Sequence, residues 1–158
     1  MIWFLAGSET ICFILSYRIQ PNTYPQCQMD LALAIMYVRA HARQYGIDEN
    51  RILVVGVSAG GHLCASTAML HEELKTEIFC AHPELEKLYG RISAQPDGVG
   101  LLYPVISFTS EYHEGSCRCN TGGNPDLQKK LSVALHDLTG YPPSCAYATL
   151  EDGGVPAS

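Results

Sequence analysis

The sequence predicts an α/β fold with a doubly wound, mostly parallel sheet, formed as one domain over residues 1–158. Short apolar runs alternate with segments of helical periodicity, which is typical of parallel strands joined by crossover helices. The composition agrees, because 47% of the residues are hydrophobic and 16% are charged, as expected where helices cover a sheet. A chain of this length buries roughly 70% of the surface that its unfolded form exposes.

The first predicted unit is a strand, a helix and a second strand. Residues 11–18 are apolar and rich in β-formers, and a turn around Pro21 follows them, so we expect a buried strand. Apolar residues recur at helical spacing over 26–45, and Gly46 stands where a left-handed C-terminal cap is expected. Residues 51–56 form a continuous apolar run, which predicts a strand buried on both faces.

The second half of the chain continues the alternation. A Gly-rich turn leads into a helix predicted over 62–72, and the polar, proline-containing segment 73–97 is expected to be irregular. Apolar runs at 98–103 and 144–149 predict two further strands with a loop-rich excursion between them. In such a sheet, catalytic groups collect in loops at the carboxyl ends of the strands.

Charge and cysteine content limit the classes of partner. A net charge of -6 and a pI near 5.4 argue against nucleic acid and anionic membranes, and favour a neutral or cationic small molecule. The chain holds no run of roughly 18 apolar residues and begins without a basic segment, so we expect neither a membrane span nor a targeting signal. Seven cysteines cannot all pair within one chain, which favours free thiols and the cytoplasm. The sequence indicates no oligomeric state.

The motif that carries chemistry is Gly56-Val57-Ser58-Ala59-Gly60, between a predicted strand and a predicted helix. A serine hydroxyl is a weak nucleophile, so it needs a rigid exposed corner, a base and oxyanion donors. Gly56 and Gly60 leave room for a strained turn and let strand and helix pass closely. We predict a nucleophile elbow with Ser58 as nucleophile and the Ala59 N–H as an oxyanion donor. The alternative is a small-residue turn that only packs the helix on the sheet.

Several motifs along the chain resemble the acetyl esterase and xylan esterase-like α/β-hydrolases. They are Ser16-Tyr17-Arg18, Tyr24-Pro25, Asp30, Gly46-Ile47-Asp48, Arg51-Ile52, and the segments 56–63, 100–107 and 141–156. The resemblance implies a serine carboxylesterase without a cofactor that hydrolyses short-chain acyl esters, including acetyl groups on plant-derived saccharides, through an acyl-enzyme on Ser58. A serine peptidase of the same fold stays open, because the elbow does not distinguish an ester from an amide.

The resemblance also supplies a candidate catalytic acid. In the family an Asp ahead of a Val-Pro pair orients the catalytic histidine, and Asp152 precedes Val155-Pro156 here. Asp152 would accept the imidazole N–H and stabilise the imidazolium. Glu151 is the alternative acid, and Asp152 could instead begin a turn with the glycines that follow it.

The catalytic base has no counterpart in this sequence. The fold orders the triad as Ser, acid, His, yet no histidine follows Asp152. The histidines are His41, His62, His71, His82, His113 and His136. Only His62 is close to Ser58 in sequence, and it resembles a packing residue of the helix. The family's Gly-rich oxyanion loop would precede residue 1. The sequence thus resembles an α/β-hydrolase without its N-terminal strands and C-terminal His segment, and we expect a poor catalyst. A truncated or degenerate hydrolase that binds ligands or assembles with other subunits is the alternative.

Two other groups of residues are candidates for a metal site and for a substrate pocket. Cys117, Cys119 and His113 lack the four-ligand spacing of a structural zinc site, so we predict a lid-like loop and no metal. Three tyrosines either face an acyl or sugar pocket or pack against the protein, and packing is favoured. They are Tyr112, Tyr141 and Tyr147.

Overall fold

The computed structural model describes residues 10–110 and 112–149. Over these ranges lie a parallel sheet of three strands in the order β1-β2-β3, six α-helices and one 3-10 turn. The strands are β1 (Leu53–Val57), β2 (Gly98–Leu102) and β3 (Ser144–Tyr147). The helices are α1 (Gln26–Ala40), α2 (Ala42–Tyr45), α3 (Ala59–Ala81), α4 (Pro83–Tyr89), α5 (Glu114–Thr121) and α6 (Pro125–Leu131), and the 3-10 turn is Val133–Leu135. The predicted α/β class with a parallel sheet is confirmed.

The main core lies between the sheet and two helices. Val54 pairs with Val99 across β1 and β2, and both are buried against residues of α1 and α3 such as Leu31 and Leu63. The residues of β1 that point to the other side are more exposed, and Leu53 is 54% exposed. The expectation that residues 51–56 are buried on both faces is therefore wrong for the described part of the chain, because α1 and α3 cover the same face.

The strand predicted over residues 11–18 is also wrong. This segment is irregular and mostly exposed, and only Leu15 and Tyr17 pack against the main core. A strand needs a hydrogen-bonded neighbour, and none of the described strands pairs with this segment. The burial predicted for the whole run is found only in part, at Leu15 and Tyr17, and the run did not reveal a pairing partner.

The helix predicted over 26–45 is two helices, separated at His41. Gly46 ends α2 with φ 67°, so the predicted left-handed cap is confirmed. The next helix, predicted to end at residue 72, is interrupted close to that point by a kink at Leu70, with φ -101° and ψ 15°, and α3 then continues to Ala81. Its second half buries Leu74 and Ile78, which lie one turn apart on the same face.

The segment expected to be irregular, 73–97, is therefore largely helical. It contains the end of α3 and all of α4, whose first residue is Pro83. Proline is favoured at that position, since its missing N–H would have no partner in the first turn of a helix. The prolines that suggested a loop include one that starts a helix.

The excursion between β2 and β3 is more ordered than predicted. Cys117 and Cys119 lie in α5 rather than in a lid-like loop, and the ring of His113 accepts the Ser116 N–H at the helix start. Cys117 packs with Val105, Phe108 and Leu131 in a separate small core. No helix within the described ranges is long and apolar enough to cross a membrane.

Candidate active site

Ser58 occupies a sharp corner between β1 and α3. The strand ends at Val57, the helix begins at Ala59, and Ser58 between them has φ 51° and ψ -118°. Its N–H donates to the Leu102 carbonyl at 3.0 Å, and its own carbonyl accepts the His62 N–H at 3.1 Å. These bonds fix the corner to β2 on one side and to α3 on the other, so Ser58 stands at the carboxyl end of the sheet in a conformation that non-glycine residues rarely adopt.

Glycine is required at two places around this corner. A Cβ on Gly56 would lie 2.1 Å from the Gly60 carbonyl oxygen, and a Cβ on Gly61 would lie 2.8 Å from the Pro104 Cβ. At Gly60 itself an added Cβ would meet nothing within 4 Å. The close approach of strand and helix therefore depends on Gly56 and Gly61, and the sequence pattern singled out Gly60 while missing its neighbour.

The backbone N–H of Ala59 lies at the start of α3, directly after Ser58. Ala59 is the first residue of α3, a helix of 23 residues, and the first N–H groups of a helix have no acceptor within it. Nothing among the described residues accepts this N–H from outside the helix either. The positive end of the helix dipole lies at the same point, and both features favour negative charge beside Ser58.

No side chain within the described ranges forms a hydrogen bond with the Ser58 hydroxyl. The six histidine rings contact other groups, which are Tyr37 for His41, Val105 for His62, Ala68 for His71, Glu84 for His82, Ser116 for His113 and Lys129 for His136. Asp152 and Glu151, the candidate acids, lie outside the described residues. Within the described ranges, the corner at Ser58 therefore has a backbone N–H beside it and no side chain in contact with the hydroxyl.

His62 is a core residue. Its side chain is fully buried, its Nδ1 lies 2.9 Å from the Val105 carbonyl, and its ring centre lies 4.4 Å from that of Phe108. Burial lowers the pKa of His62 to about 4, so the ring is neutral at pH 7 and Nδ1 donates to the carbonyl. The sequence-based interpretation of His62 as a packing residue of the helix agrees with this environment.

Tyr103, which the sequence analysis did not single out, lies next to Ser58. It is the first residue beyond β2 and has φ 37°. Its N–H donates to the Tyr147 carbonyl, so the carboxyl end of the sheet continues one residue past the strand. A Tyr-Pro pair directly after a strand that neighbours the elbow was the available sequence signal. Tyr141 packs against the protein, as the sequence predicts, with its hydroxyl donating to the Ala65 carbonyl at 3.3 Å.

The described residues contain no group of three side chains able to hold a metal ion. Cys117 is buried and Cys119 is exposed, while the ring of His113 caps α5. All seven cysteines are free.

The parallel sheet, the strained serine between a strand and a helix, and the close-packed glycines define a protein of the α/β-hydrolase class. The chain matches the family designated BD-FAE over residues 5–104. It belongs to that family, and the matched region contains the elbow, α1, α3 and β2.

The relatives of this chain are hydrolases. It is 34% identical over 152 residues to endo-1,4-beta-xylanase B of Butyrivibrio fibrisolvens. The alignment covers 91% of this chain and 22% of that protein. The crystal structure of an acetyl ester-xyloside bifunctional hydrolase from Caldicellulosiruptor lactoaceticus superposes with a TM-score of 0.78 at 34% identity over 89% of this chain. A thermophilic esterase from Thermogutta terrifontis with bound propionate superposes with a TM-score of 0.62 at 27% identity, also over 89%. The chain spans 50% of the length of each of these two structures.

Proposed function

We propose that this chain carries the nucleophile of a serine carboxylesterase that removes short acyl groups, acetyl above all, from saccharide esters. The observation that carries the proposal is the corner at Ser58, which has a positive φ and stands at the start of a long helix. That arrangement puts the half-buried Ser58 beside a backbone N–H that has no acceptor among the described residues.

The proposed reaction has two steps. Ser58 Oγ attacks the ester carbonyl while a general base takes its proton, and the Ala59 N–H stabilises the oxyanion. The protonated base then gives that proton to the departing alcohol, which leaves an acyl-enzyme, and water releases the acid by the reverse sequence. We assign to Asp152 the role of orienting the imidazole that acts as base. Among the described residues no histidine ring forms a hydrogen bond with the Ser58 hydroxyl, so we expect acylation and turnover to be slow.

The relatives and the net charge support the proposed substrate class. One relative is named for acetyl ester and xyloside hydrolysis, and another was solved with a short acid, propionate. A net charge of -6 favours neutral esters over anionic ones. The seven free cysteines support the cytoplasm as the compartment. A degenerate hydrolase that binds an ester without turnover is the second candidate, favoured because no histidine ring among the described residues bonds to the Ser58 hydroxyl.

Acylation of Ser58 tests the proposal without requiring fast turnover. The chain is incubated with p-nitrophenyl acetate, quenched and digested, and the acetyl group is located by mass spectrometry. We expect acetylation of Ser58 to approach one group per chain, and Ser58→Ala to abolish it along with the matching release of nitrophenol. Ser110→Ala, which changes an exposed serine, should leave both unchanged. Acetylation of Ser58 no faster than that of Ser110 would contradict the proposal.

Substrate preference separates an esterase from a peptidase of the same fold. Acetylated xylo-oligosaccharide and an aminoacyl-nitroanilide are compared under the same conditions. We expect acetate release that depends on Ser58 and no release of nitroaniline. Ser58-dependent cleavage of the anilide alone would make the protein a peptidase, and binding of the saccharide without acylation would favour the degenerate hydrolase.

A further inference from the structure

Two non-glycine residues in the described ranges have positive φ, and they are neighbours in space. One is Ser58, and the other is Tyr103 with φ 37°. A bulky side chain rarely adopts this conformation, and the proline that follows favours an extended one. Val57 pairs with Leu102 in the parallel ladder, so Ser58 and Tyr103 are the next residues along the two strands. The strained tyrosine thus lies beside the proposed nucleophile.

The surroundings hold Tyr103 in this conformation from both sides. Its N–H donates to the Tyr147 carbonyl, and the carbonyl of the preceding Leu102 accepts the Ser58 N–H. On the other side, Pro104 packs closely against Gly61. A Cβ added at Gly61 would lie 2.8 Å from the Pro104 Cβ. Strain persists where neighbouring structure fixes the backbone, and it is concentrated at functional sites.

The ring of Tyr103 does not contribute to the core. Its exposed fraction is 38%, and no hydrogen bond to its hydroxyl is found among the described residues. Tyr141 shows the opposite case, since its half-buried hydroxyl bonds to the Ala65 carbonyl. Core packing therefore does not account for a strained aromatic residue at position 103.

We propose that Tyr103 is a specificity residue whose ring forms the wall of the ester site on the β2 side of Ser58. The inference rests on the proposed role of Ser58 as nucleophile. An aromatic face gives a rigid apolar surface for the ester beside the attacked carbonyl, and ester sites combine such surfaces with a few fixed polar groups. The fixed backbone keeps this surface in place before the substrate arrives.

The concentration dependence of Ser58 acetylation by p-nitrophenyl acetate tests this role. Tyr103→Ala should raise the half-saturating concentration at least fivefold and change the limiting rate less than twofold, and Tyr103→Phe should stay within twofold of the wild type in both. The matched control is Tyr37→Ala, because Tyr37 is exposed to a similar extent, 44%, but lies on α1. A Tyr103→Ala protein that saturates like the wild type, or a Tyr103→Phe protein as weak as Tyr103→Ala, overturns the inference.

A second measurement separates this inference from the proposed function. If Ser58 of the wild-type chain is not acetylated, the proposed function fails, and binding of acetylated xylobiose to the Ser58→Ala protein decides the role of Tyr103. Ligand line broadening by NMR that disappears in the Ser58→Ala/Tyr103→Ala protein supports the wall at Tyr103. Equal broadening in both proteins, or none in either, overturns it.

Discussion

At the amino ends of β1 and β2 a single buried side chain ties three segments together, whereas at their carboxyl ends the backbone carries strain. The guanidinium of Arg39 donates to the carbonyls of Glu49 at 2.9 Å, Ser93 at 2.6 Å and Gln95 at 2.9 Å, and pairs with Asp97 at 2.7 Å. Arg39 is 9% exposed. Nearly all its donors are used, so its charge is well compensated.

Asp97 extends this arrangement into the sheet. Its carboxylate accepts the Ile52 N–H at 2.9 Å, and its own N–H donates to the Ile52 carbonyl at 2.8 Å. Ile52 and Asp97 directly precede β1 and β2. The amino ends of the two strands are thereby aligned by side-chain and backbone bonds together.

The carboxyl ends have no comparable side-chain anchor among the described residues. Instead, Ser58 and Tyr103 hold positive φ, and glycines let the strand and α3 approach closely. Among the described residues, side-chain anchoring thus lies at the amino end and backbone strain at the carboxyl end. Bonds at the amino end hold the strands in register, and that register keeps the strained carboxyl end in a conformation it would not adopt alone.

The largest effect should come from filling the space at the elbow. In Gly56→Ala the new Cβ would lie 2.1 Å from the Gly60 backbone oxygen, which no side-chain adjustment can relieve, so we expect a loss of more than about 5 kcal/mol and little folded protein. Urea unfolding followed by circular dichroism measures it. Gly60→Ala is the control, since its Cβ meets nothing within 4 Å, and it should gain up to about 1 kcal/mol from helix propensity. Equal losses in the two variants would show that the corner does not need this close approach.

At the amino end, removing the anchor should cost nearly as much. Arg39→Met leaves three carbonyl groups and a carboxylate without their donor, and we expect a loss of about 4 kcal/mol in the free energy of unfolding. The matched variant is Arg18→Met, because Arg18 also pairs with an aspartate, Asp30, but its side chain is 49% exposed. That loss should stay below about 1 kcal/mol. Similar losses at both arginines would contradict the view of Arg39 as the anchor of the sheet.

The carboxyl end should also carry a dependence of stability on pH through His62. Its pKa falls from the ordinary 6.5 to about 4 because the ring is buried, so the unfolded chain takes up a proton at a higher pH than the folded one. The contribution of neutral His62 to the free energy of unfolding is therefore fully present above pH 6.5. It is lost as the pH falls toward 4, by on the order of 3 kcal/mol.

Unfolding measured at several pH values between 7 and 4 tests this loss. His62→Leu removes the titrating ring and should flatten the dependence, although it also loses the bond to Val105. His82→Leu changes an exposed histidine and should leave the slope as in the wild type. A wild-type slope that persists in His62→Leu would mean that other groups cause it.

The predictable part of the fold was the part encoded locally. The parallel α/β class, the cap at Gly46 and the strands β2 and β3 follow from apolar runs and turn residues. The segment 11–18 did not become a strand, because pairing depends on a neighbour and not on the run itself. The second half of α3 was missed because proline and polar residues outweighed the one-turn spacing of Leu74 and Ile78.

The candidate site divides in the same way. The position of Ser58 between a strand and a helix could be predicted from the motif, since the motif encodes a local turn. Two contacts between separate segments could not be predicted from the motif. They are the close approach of Gly61 to Pro104 and the placement of Tyr103 beside Ser58, and both depend on the register of β1 and β2. Distances between segments are set by packing, which a single sequence does not show.

The smallest expected effect tests most directly whether the carboxyl end stores strain. Glycine adopts positive φ without penalty, so Tyr103→Gly should raise the free energy of unfolding by about 1 kcal/mol relative to Tyr103→Ala, which keeps a Cβ at φ 37°. The two variants lose the same ring contacts, so their difference in urea unfolding isolates the backbone. An exposed ring contributes little packing to be lost. If alanine is as stable as glycine here, the backbone at 103 holds no strain, and the contrast between the two ends of the sheet then rests on Ser58 alone.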